Sequence, residues 1–180
     1  FQAFRGRKDV QLILRTYFGP EPQNTESIVK NDIQNVKESL HMTDDEKPPV
    51  KIIPNTLSKR QLAKLYRSFD VFLFPSRGEG WGIPVSEAMA CGVPVISPRH
   101  SGLQDFVPDY DLSIRYSEVP IPDDNILLRM NRDYYGLNWY NPDINQLIAV
   151  LNKVRKIGKD VKKKYSDKIL KRSNILSKTG

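Results

Sequence analysis

The chain has 180 residues, with 28 Lys+Arg against 21 Asp+Glu and a single cysteine. Its 39% hydrophobic and 27% charged residues are globular values. No apolar run is long enough to span a membrane, and one cysteine excludes an internal disulfide and a cysteine-based metal cluster.

Phe1-Gln-Ala-Phe4 reads as the end of a helix. Val10–Phe18 fits a helix face through Val10, Ile13, Leu14, Tyr17 and Phe18, and strand alternation through Val10, Leu12, Leu14 and Thr16. The strand reading is taken, because the residues are β-formers and Gly19–Asn24 supplies only loop. Ser27–Leu40 is an amphipathic helix with Ile28, Ile33, Val36 and Leu40 inward. After an acidic loop over Met42–Pro49, Val50–Ile53 is a strand. Ser58 is a good N-cap for a helix over Lys59–Ser68, whose inward residues are Leu62, Leu65 and Tyr66.

Val71-Phe-Leu-Phe74 is wholly apolar and suits a strand covered on both faces. The chain then turns through a loop with glycines at 78, 80 and 82. Pro84 suits a helix start, where a missing N–H is harmless, and Gly92 suits the stop. Val93-Pro-Val-Ile96 begins the next buried strand. Such a strand–glycine loop–helix–strand unit makes an anion site, since glycines admit a ligand to the backbone and the helix start offers amides and a positive dipole end. Two acids flank it, Glu79 in the loop and Glu87 at the helix start. A carboxylate beside a phosphate is unfavourable unless it accepts hydrogen bonds from hydroxyls. Phosphate plus polyol points to a nucleotide sugar.

Val107–Trp139 is rich in Pro and Asp and reads as a long loop insertion, with Leu112-Ser-Ile114 a candidate strand. Asn141-Pro-Asp143 opens a helix to about Lys156, with Leu147, Val150, Leu151 and Val154 inward. A very basic helix follows over about 157–175. Strand and helix alternate, so the expected fold is α/β, a Rossmann-like parallel sheet sandwiched by helices.

The stretch Ser76-Arg-Gly-Glu-Gly-Trp-Gly-Ile-Pro-Val-Ser-Glu-Ala-Met-Ala-Cys-Gly-Val-Pro-Val95, with its Glu79-x7-Glu87 spacing, resembles the signature of the retaining glycosyltransferases of family 4 (group 1). The resemblance implies the C-terminal, donor-binding half of a two-domain GT-B enzyme, and it runs over about residues 1–180. It implies that Glu87 accepts the ribose hydroxyls and that amides of Gly82, Ile83 and Val85 hold the distal phosphate and sugar. It also implies that Glu79 hydrogen-bonds the sugar hydroxyls and is the family's disputed catalytic carboxylate. Gly80, Trp81 and Pro84 complete the donor-binding stretch, and Leu57, in Asn55-Thr-Leu57, is placed to meet the base. Arg77 either helps with phosphate charge or is a salt-bridged loop residue.

The resemblance also implies metal-independent chemistry with no cofactor beyond the nucleotide-sugar donor, and an N-terminal acceptor-binding domain as partner. By this register the opening strand, with the Arg and Lys that hold the diphosphate, lies upstream of Phe1; Arg7-Lys8 is the alternative for that pair. Ser101-Gly-Leu-Gln-Asp-Phe106 resembles the family's Gly-Gly-x-x-Glu segment but departs at Ser101 and Asp105, so no role is carried there.

Other signals are weaker. Asp109-Tyr-Asp111 has the form of a metal motif but sits in a Pro-flanked loop. His41 and His100 read as surface or packing residues, and Cys91 as small-residue packing. The lone thiol suits a reducing, cytoplasmic location. Charge is concentrated at one end: residues 153–178 carry eleven bases and two acids, a net +9, against −2 for the rest. That segment reads as a solvated face or a contact for an anionic membrane surface. Nucleic acid fits less well, because no aromatics interleave the bases.

Overall fold

The computed structural model describes residues 1–16, 24–122 and 136–176, with side chains to residue 171. The chain divides into two compact units, Phe1–Leu62 and Ala63–Gly180.

The first unit opens with a 3-10 turn, Gln2–Phe4, followed by β1 (Leu12–Arg15), α1 (Thr25–Ser39) and β2 (Val50–Ile53). β1 and β2 pair in parallel, Leu12 opposite Val50 and Arg15 opposite Ile53, so the strand reading of this segment holds. The inward side of α1 differs from expectation. Thr25 and Val29 are buried four residues apart, while Ile28 and Val36 are exposed. The helix is therefore turned by about one residue, since i and i+4 positions share a face. Polar bonds secure the unit's end: the Arg5 guanidinium donates to both carboxylate oxygens of Glu46 at 2.9 Å and to the His41 carbonyl at 2.8 Å. Lys8 donates to the Lys47 carbonyl.

The unit boundary falls inside α2 (Lys59–Ser68). Ser58 starts this helix as a capping box: its Oγ accepts from the Gln61 amide, and Gln61 Oε1 accepts from the Ser58 amide.

The second unit holds β3 (Phe72–Leu73), α3 (Ile83–Ala90), β4 (Val95–Pro98), α4 (Leu103–Phe106), β5 (Ser113–Ile114), β6 (Tyr116–Pro120), β7 (Asn138–Pro142), α5 (Ile144–Ile157) and, after a 3-10 turn, α6 (Val161–Leu176). β3, β4 and β5 form a parallel sheet with β4 in the middle and buried throughout. The expected α/β class with parallel strands is present, the strands falling into two sheets. Gly92, at φ 74°, ends α3: its amide donates to Met89 O, and the Val93 amide to Ala88 O. That pair of bonds is a Schellman stop. The core gathers Val85, Ala88 and Met89 of α3, Val95 and Ile96 of β4, Leu103 and Phe106 of α4, and Val161, Tyr165 and Ile169 of α6.

One expectation is corrected. Residues 116–120 and 138–142 are not loop. They form an antiparallel hairpin, Tyr116 opposite Pro142 and Pro120 opposite Asn138. The basic segment also has a buried side. α6 packs on α3 and α4, with Val161, Tyr165 and Ile169 buried at four-residue steps.

Candidate functional site

The glycine loop leaves β3 at Phe74 and enters α3 through Gly82. Gly82 has φ 80°, where a side chain is strained, and a Cβ there would lie 2.4 Å from Leu103 Cδ2. Gly102 is tighter still, because a Cβ would meet the Gly80 carbonyl oxygen at 2.1 Å. The loop backbone thus lies directly against the start of α4. Ser101, just before, takes φ 48°. That left-handed conformation is uncommon for a residue other than glycine.

α3 begins at Ile83 with Pro84 second. The Gly82 carbonyl accepts from the Val85 amide at 2.9 Å and the Ser86 amide at 3.2 Å. Val85 can serve an anion only by sharing that bond. Pro84 has no N–H, so the outward amides of the turn are those of Gly82 and Ile83. Ile83 is 62% exposed and Trp81 45%. The Trp81 ring stacks on Phe106, centroids 5.1 Å apart, which holds an exposed aromatic face at the loop.

Both glutamates are in place on this unit. Glu79 is half-buried and its Oε1 lies 2.9 Å from Ser76 Oγ, which also accepts from the Gly78 amide. Glu87 is exposed on the second turn of α3, one turn later than the helix start expected for it. Its Oε2 accepts from the Tyr66 hydroxyl at 3.1 Å. Tyr66 is buried at the end of α2, its ring edge-on to Phe72 of β3 at 5.5 Å. A rigid ring therefore fixes one oxygen of Glu87 and leaves the other outward. Sequence reasoning placed Tyr66 in the core and missed this bond. Leu57 lies in the first unit, half-buried in the turn after β2.

The hairpin clamps the loop from the other side. The Tyr140 amide donates to the Arg77 carbonyl at 2.9 Å, and the Arg77 guanidinium lies 5.0 Å from the Trp139 ring centroid. Arg77 is thus a cation–π partner of the hairpin and makes no salt bridge among the described residues. His100, 1% exposed, is stacked on Tyr140 at 4.5 Å. Its Nε2 is 2.9 Å from the Ser76 carbonyl, which can only accept, so Nε2 carries the proton; Nδ1 faces Ser101 Oγ at 3.2 Å. His100 is a packing residue as expected, and it ties the backbone under Glu79 to the hairpin.

The acids of Asp109-Tyr-Asp111 face cations. Asp109 is 3.7 Å from Arg99. Asp111 pairs with Lys153 of α5 and accepts from Tyr165 of α6 at 3.0 Å. Partial burial would raise the Asp111 carboxyl, but these bonds hold it below the usual carboxylate value. Burial first, and the bond to Asp111 second, push Tyr165 up to about 12. Burial likewise raises Tyr110, whose hydroxyl bonds the Val95 carbonyl. Among the described residues no group of three His, Cys, Asp or Glu could hold a metal ion. No described helix is long and apolar enough to cross a membrane.

Comparison with known proteins bears on this loop. The model of the family "Glycosyl transferases group 1" matches residues 37–118. A sulfoquinovosyl transferase of Arabidopsis thaliana is 40% identical over 58 residues, 32% of this chain and 11% of that protein. The O-antigen chain mannosyltransferase B of Escherichia coli is 36% identical over 72 residues, 40% of this chain and 19% of the relative. A D-inositol 3-phosphate glycosyltransferase of Segniliparus rotundus is 45% identical over 49 residues, 27% and 11% of the two chains. The matches thus span less than a fifth of these relatives' lengths. A solved pneumococcal O-GlcNAc transferase in complex with UDP and GlcNAc aligns over 93% of this chain and 36% of its own at 18% identity, with a TM-score of 0.33. The glycine loop, Glu79, Glu87 and the Schellman stop all lie inside residues 37–118, the stretch that is similar to the glycosyl transferases of group 1.

Proposed function

We propose that the chain is the donor-binding domain of a retaining, metal-independent glycosyltransferase that moves a sugar from a nucleotide sugar to an acceptor, with no further cofactor. One arrangement carries the reading: a glycine-lined α3 start with outward amides at Gly82 and Ile83, flanked by Glu79 on the loop and Glu87 on the helix. The amides and the α3 dipole receive the distal phosphate. The outward oxygen of Glu87 accepts ribose hydroxyls while Tyr66 holds the other. Glu79, positioned through Ser76, accepts from hydroxyls of the transferred sugar. The exposed Trp81 face and Arg77 line the approach, and Leu57 is assigned to the base.

In this scheme the bond from the anomeric carbon to the diphosphate oxygen breaks as the acceptor oxygen bonds the same carbon from the same face. The acceptor proton passes to the departing phosphate. The acceptor-binding domain supplies the other wall, so this chain alone is expected to bind donor without turning it over.

Calorimetric titration with ribonucleoside diphosphates tests the site. Two charge-assisted bonds to Glu87 are each worth roughly 1.5–3 kcal/mol. Glu87→Gln should weaken binding about tenfold to a hundredfold, and Glu87→Ala more. Equal affinity of the wild type for ribo and 2′-deoxyribo ligands would remove Glu87 from the ribose. A tenfold gain, about 1.4 kcal/mol, on adding magnesium would instead bring Asp109 and Asp111 into the site. A non-catalytic nucleotide-sugar module is the second reading, favoured by the α3 amides, Glu79 and Glu87, which would hold a donor without transferring its sugar. Transfer of labelled sugar by the two-domain protein, with the product's anomeric configuration read by NMR, decides between them.

A further inference from the structure

The charge of the C-terminal segment is ordered by the fold. Two of its lysines serve the interior: Lys153 pairs with Asp111, and Lys162 donates to the Arg67 carbonyl at 2.6 Å, neutralising the C-terminal end of α2. Lys156, Lys159, Lys163, Lys164, Lys168 and Lys171 are exposed. The ammonium groups of Lys156, Lys163, Lys168 and Lys171 make no ion pair or hydrogen bond among the described residues, and that of Lys164 lies 5.5 Å from the neighbouring Tyr165 ring centroid. Lys164, Lys168 and Lys171 are spaced i, i+4 and i+7, so they share one flank of α6.

That flank borders a groove. A cavity of about 590 Å³ between α5 and α6 is lined by Ala149, Asn152, Lys153, Lys156, Ile157 and Lys164. Its floor is apolar and its rims are ammonium groups from both helices. With Lys153 paired to Asp111, Lys156 of α5 and Lys164 of α6 are left as like charges lining one groove, an arrangement that favours a bound counter-anion. The groove lining has no aromatic ring on which a base could stack. It also lacks a guanidinium fork. Ammonium groups around an apolar floor fit a phosphate headgroup whose glycerol and first methylenes need cover.

We propose that the α5–α6 face is a docking surface for anionic phospholipid, with a headgroup phosphate seated between Lys156 and Lys164 and Lys168 and Lys171 extending the contact along the bilayer. Because α6 packs on α3, a protein docked this way holds the glycine loop in one orientation to the membrane. The surface is independent of the donor site.

Vesicle co-sedimentation tests it. The chain should bind vesicles of phosphatidylcholine with phosphatidylglycerol, leave pure phosphatidylcholine vesicles in solution, and release as salt rises. Lys156→Glu with Lys164→Glu should weaken binding at least tenfold, and Lys168→Glu with Lys171→Glu several-fold, with nucleoside diphosphate binding unchanged. If charge reversal perturbs the fold by circular dichroism, the corresponding Gln pairs give the same reading. Lys162→Gln, the internal control, should lower the melting temperature and leave vesicle binding alone. Equal binding to neutral vesicles, indifference to the Lys156/Lys164 pair, or a preference for duplex oligonucleotide over anionic vesicles each overturns the proposal.

Discussion

The two compact units are held together by different physics. In Phe1–Leu62 the fully described buried side chains are few, Val29 and Met42 among them, and polar contacts recur: Arg5–Glu46, Lys37–Asp44 and the Ser58/Gln61 box. In Ala63–Gly180 a run of side chains at or near zero exposure, from Val85 to Ile169, joins α3, α4, β4 and α6. Apolar burial contributes on the order of 25 cal/mol per Å² removed from water, whereas an exposed ion pair contributes about 0–1 kcal/mol. The motif therefore sits on the unit with the rigid core. The donor site proposed above needs its amides and carboxylates fixed, and a packed α3 fits that need.

Truncating each core is the strongest way to break this contrast. Ile169→Ala should lower the stability of the second unit by about 2–5 kcal/mol, the usual range for Ile to Ala in a core. Val29→Ala should cost the first unit about 1–2 kcal/mol, since it deletes two carbons at about 0.8 kcal/mol each. Urea melts followed at Trp81 and Trp139, both in the second unit, should register the first variant and barely the second. Equal shifts would mean the units do not unfold separately.

Gly102→Ala comes next. Its Cβ would meet the Gly80 carbonyl at 2.1 Å, and a backbone atom cannot swing aside as a side-chain tip does. Overpacking of this kind costs about 1–3 kcal/mol. Here the expected outcome is a displaced glycine loop, so nucleoside diphosphate affinity should fall at least tenfold while α6 keeps its vesicle binding. A variant with normal affinity would show that the Gly80–Gly102 approach is unnecessary to the site.

Much of this was readable beforehand because local rules decided it. Gly92 is the one residue that closes a Schellman stop cheaply, Ser58 with Gln61 spells a capping box, and the glycines of the loop announce close approach. The hairpin was not readable. Tyr116–Pro120 and Asn138–Pro142 each carry prolines and polar residues without alternation, and seventeen residues separate them, so no short turn signals the pairing. The clamp of His100, Tyr140 and Trp139 on Ser76 and Arg77 was hidden with it. For α6 the abundance of lysines masked a plain stripe, Val161, Tyr165 and Ile169, at four-residue spacing. The buried face of α1 was misjudged because Thr25, a polar residue, takes a core position that Ile28 leaves.

Alkali should separate the units. Tyr165 is raised to about 12 and Tyr110 is raised as well, both in the second unit. A group whose folded pKa is raised contributes stability that is present below its unfolded value near 10 and is lost as pH rises through the folded value. The second unit should therefore loosen between about pH 10 and 12, with tyrosinate absorbance appearing together with loss of tryptophan signal. Tyr165→Phe should narrow that window to the contribution of Tyr110. A tyrosinate titration complete before any unfolding would mean the two rings are more open than their burial indicates.

Acid gives the smallest and least selective effect. Glu46 is lowered to about 2, first by the Arg5 hydrogen bond and then by the Thr43 amide, and Asp44 is lowered by Lys37. A depressed carboxylate contributes stability that is present above its unfolded value and lost as pH falls through the folded one. For Glu46 the window runs from the ordinary Glu value near 4.3 down to about 2. The second unit has lowered carboxyls of its own, Asp111 and Asp143, so both units weaken in acid. The first has less apolar burial in reserve, and its amides should exchange first as pH drops. Glu46→Gln separates the contributions. It removes the titrating group while keeping an acceptor for Arg5, so the first unit should start slightly less stable near neutrality and then lose less between pH 4 and 2 than the wild type. Hydrogen exchange at the Gly6 amide, which donates to the Glu46 carbonyl at 2.7 Å, reads this locally. If wild type and variant show the same slope there, the Arg5–Glu46 pair is an exposed contact that contributes nothing to the unit.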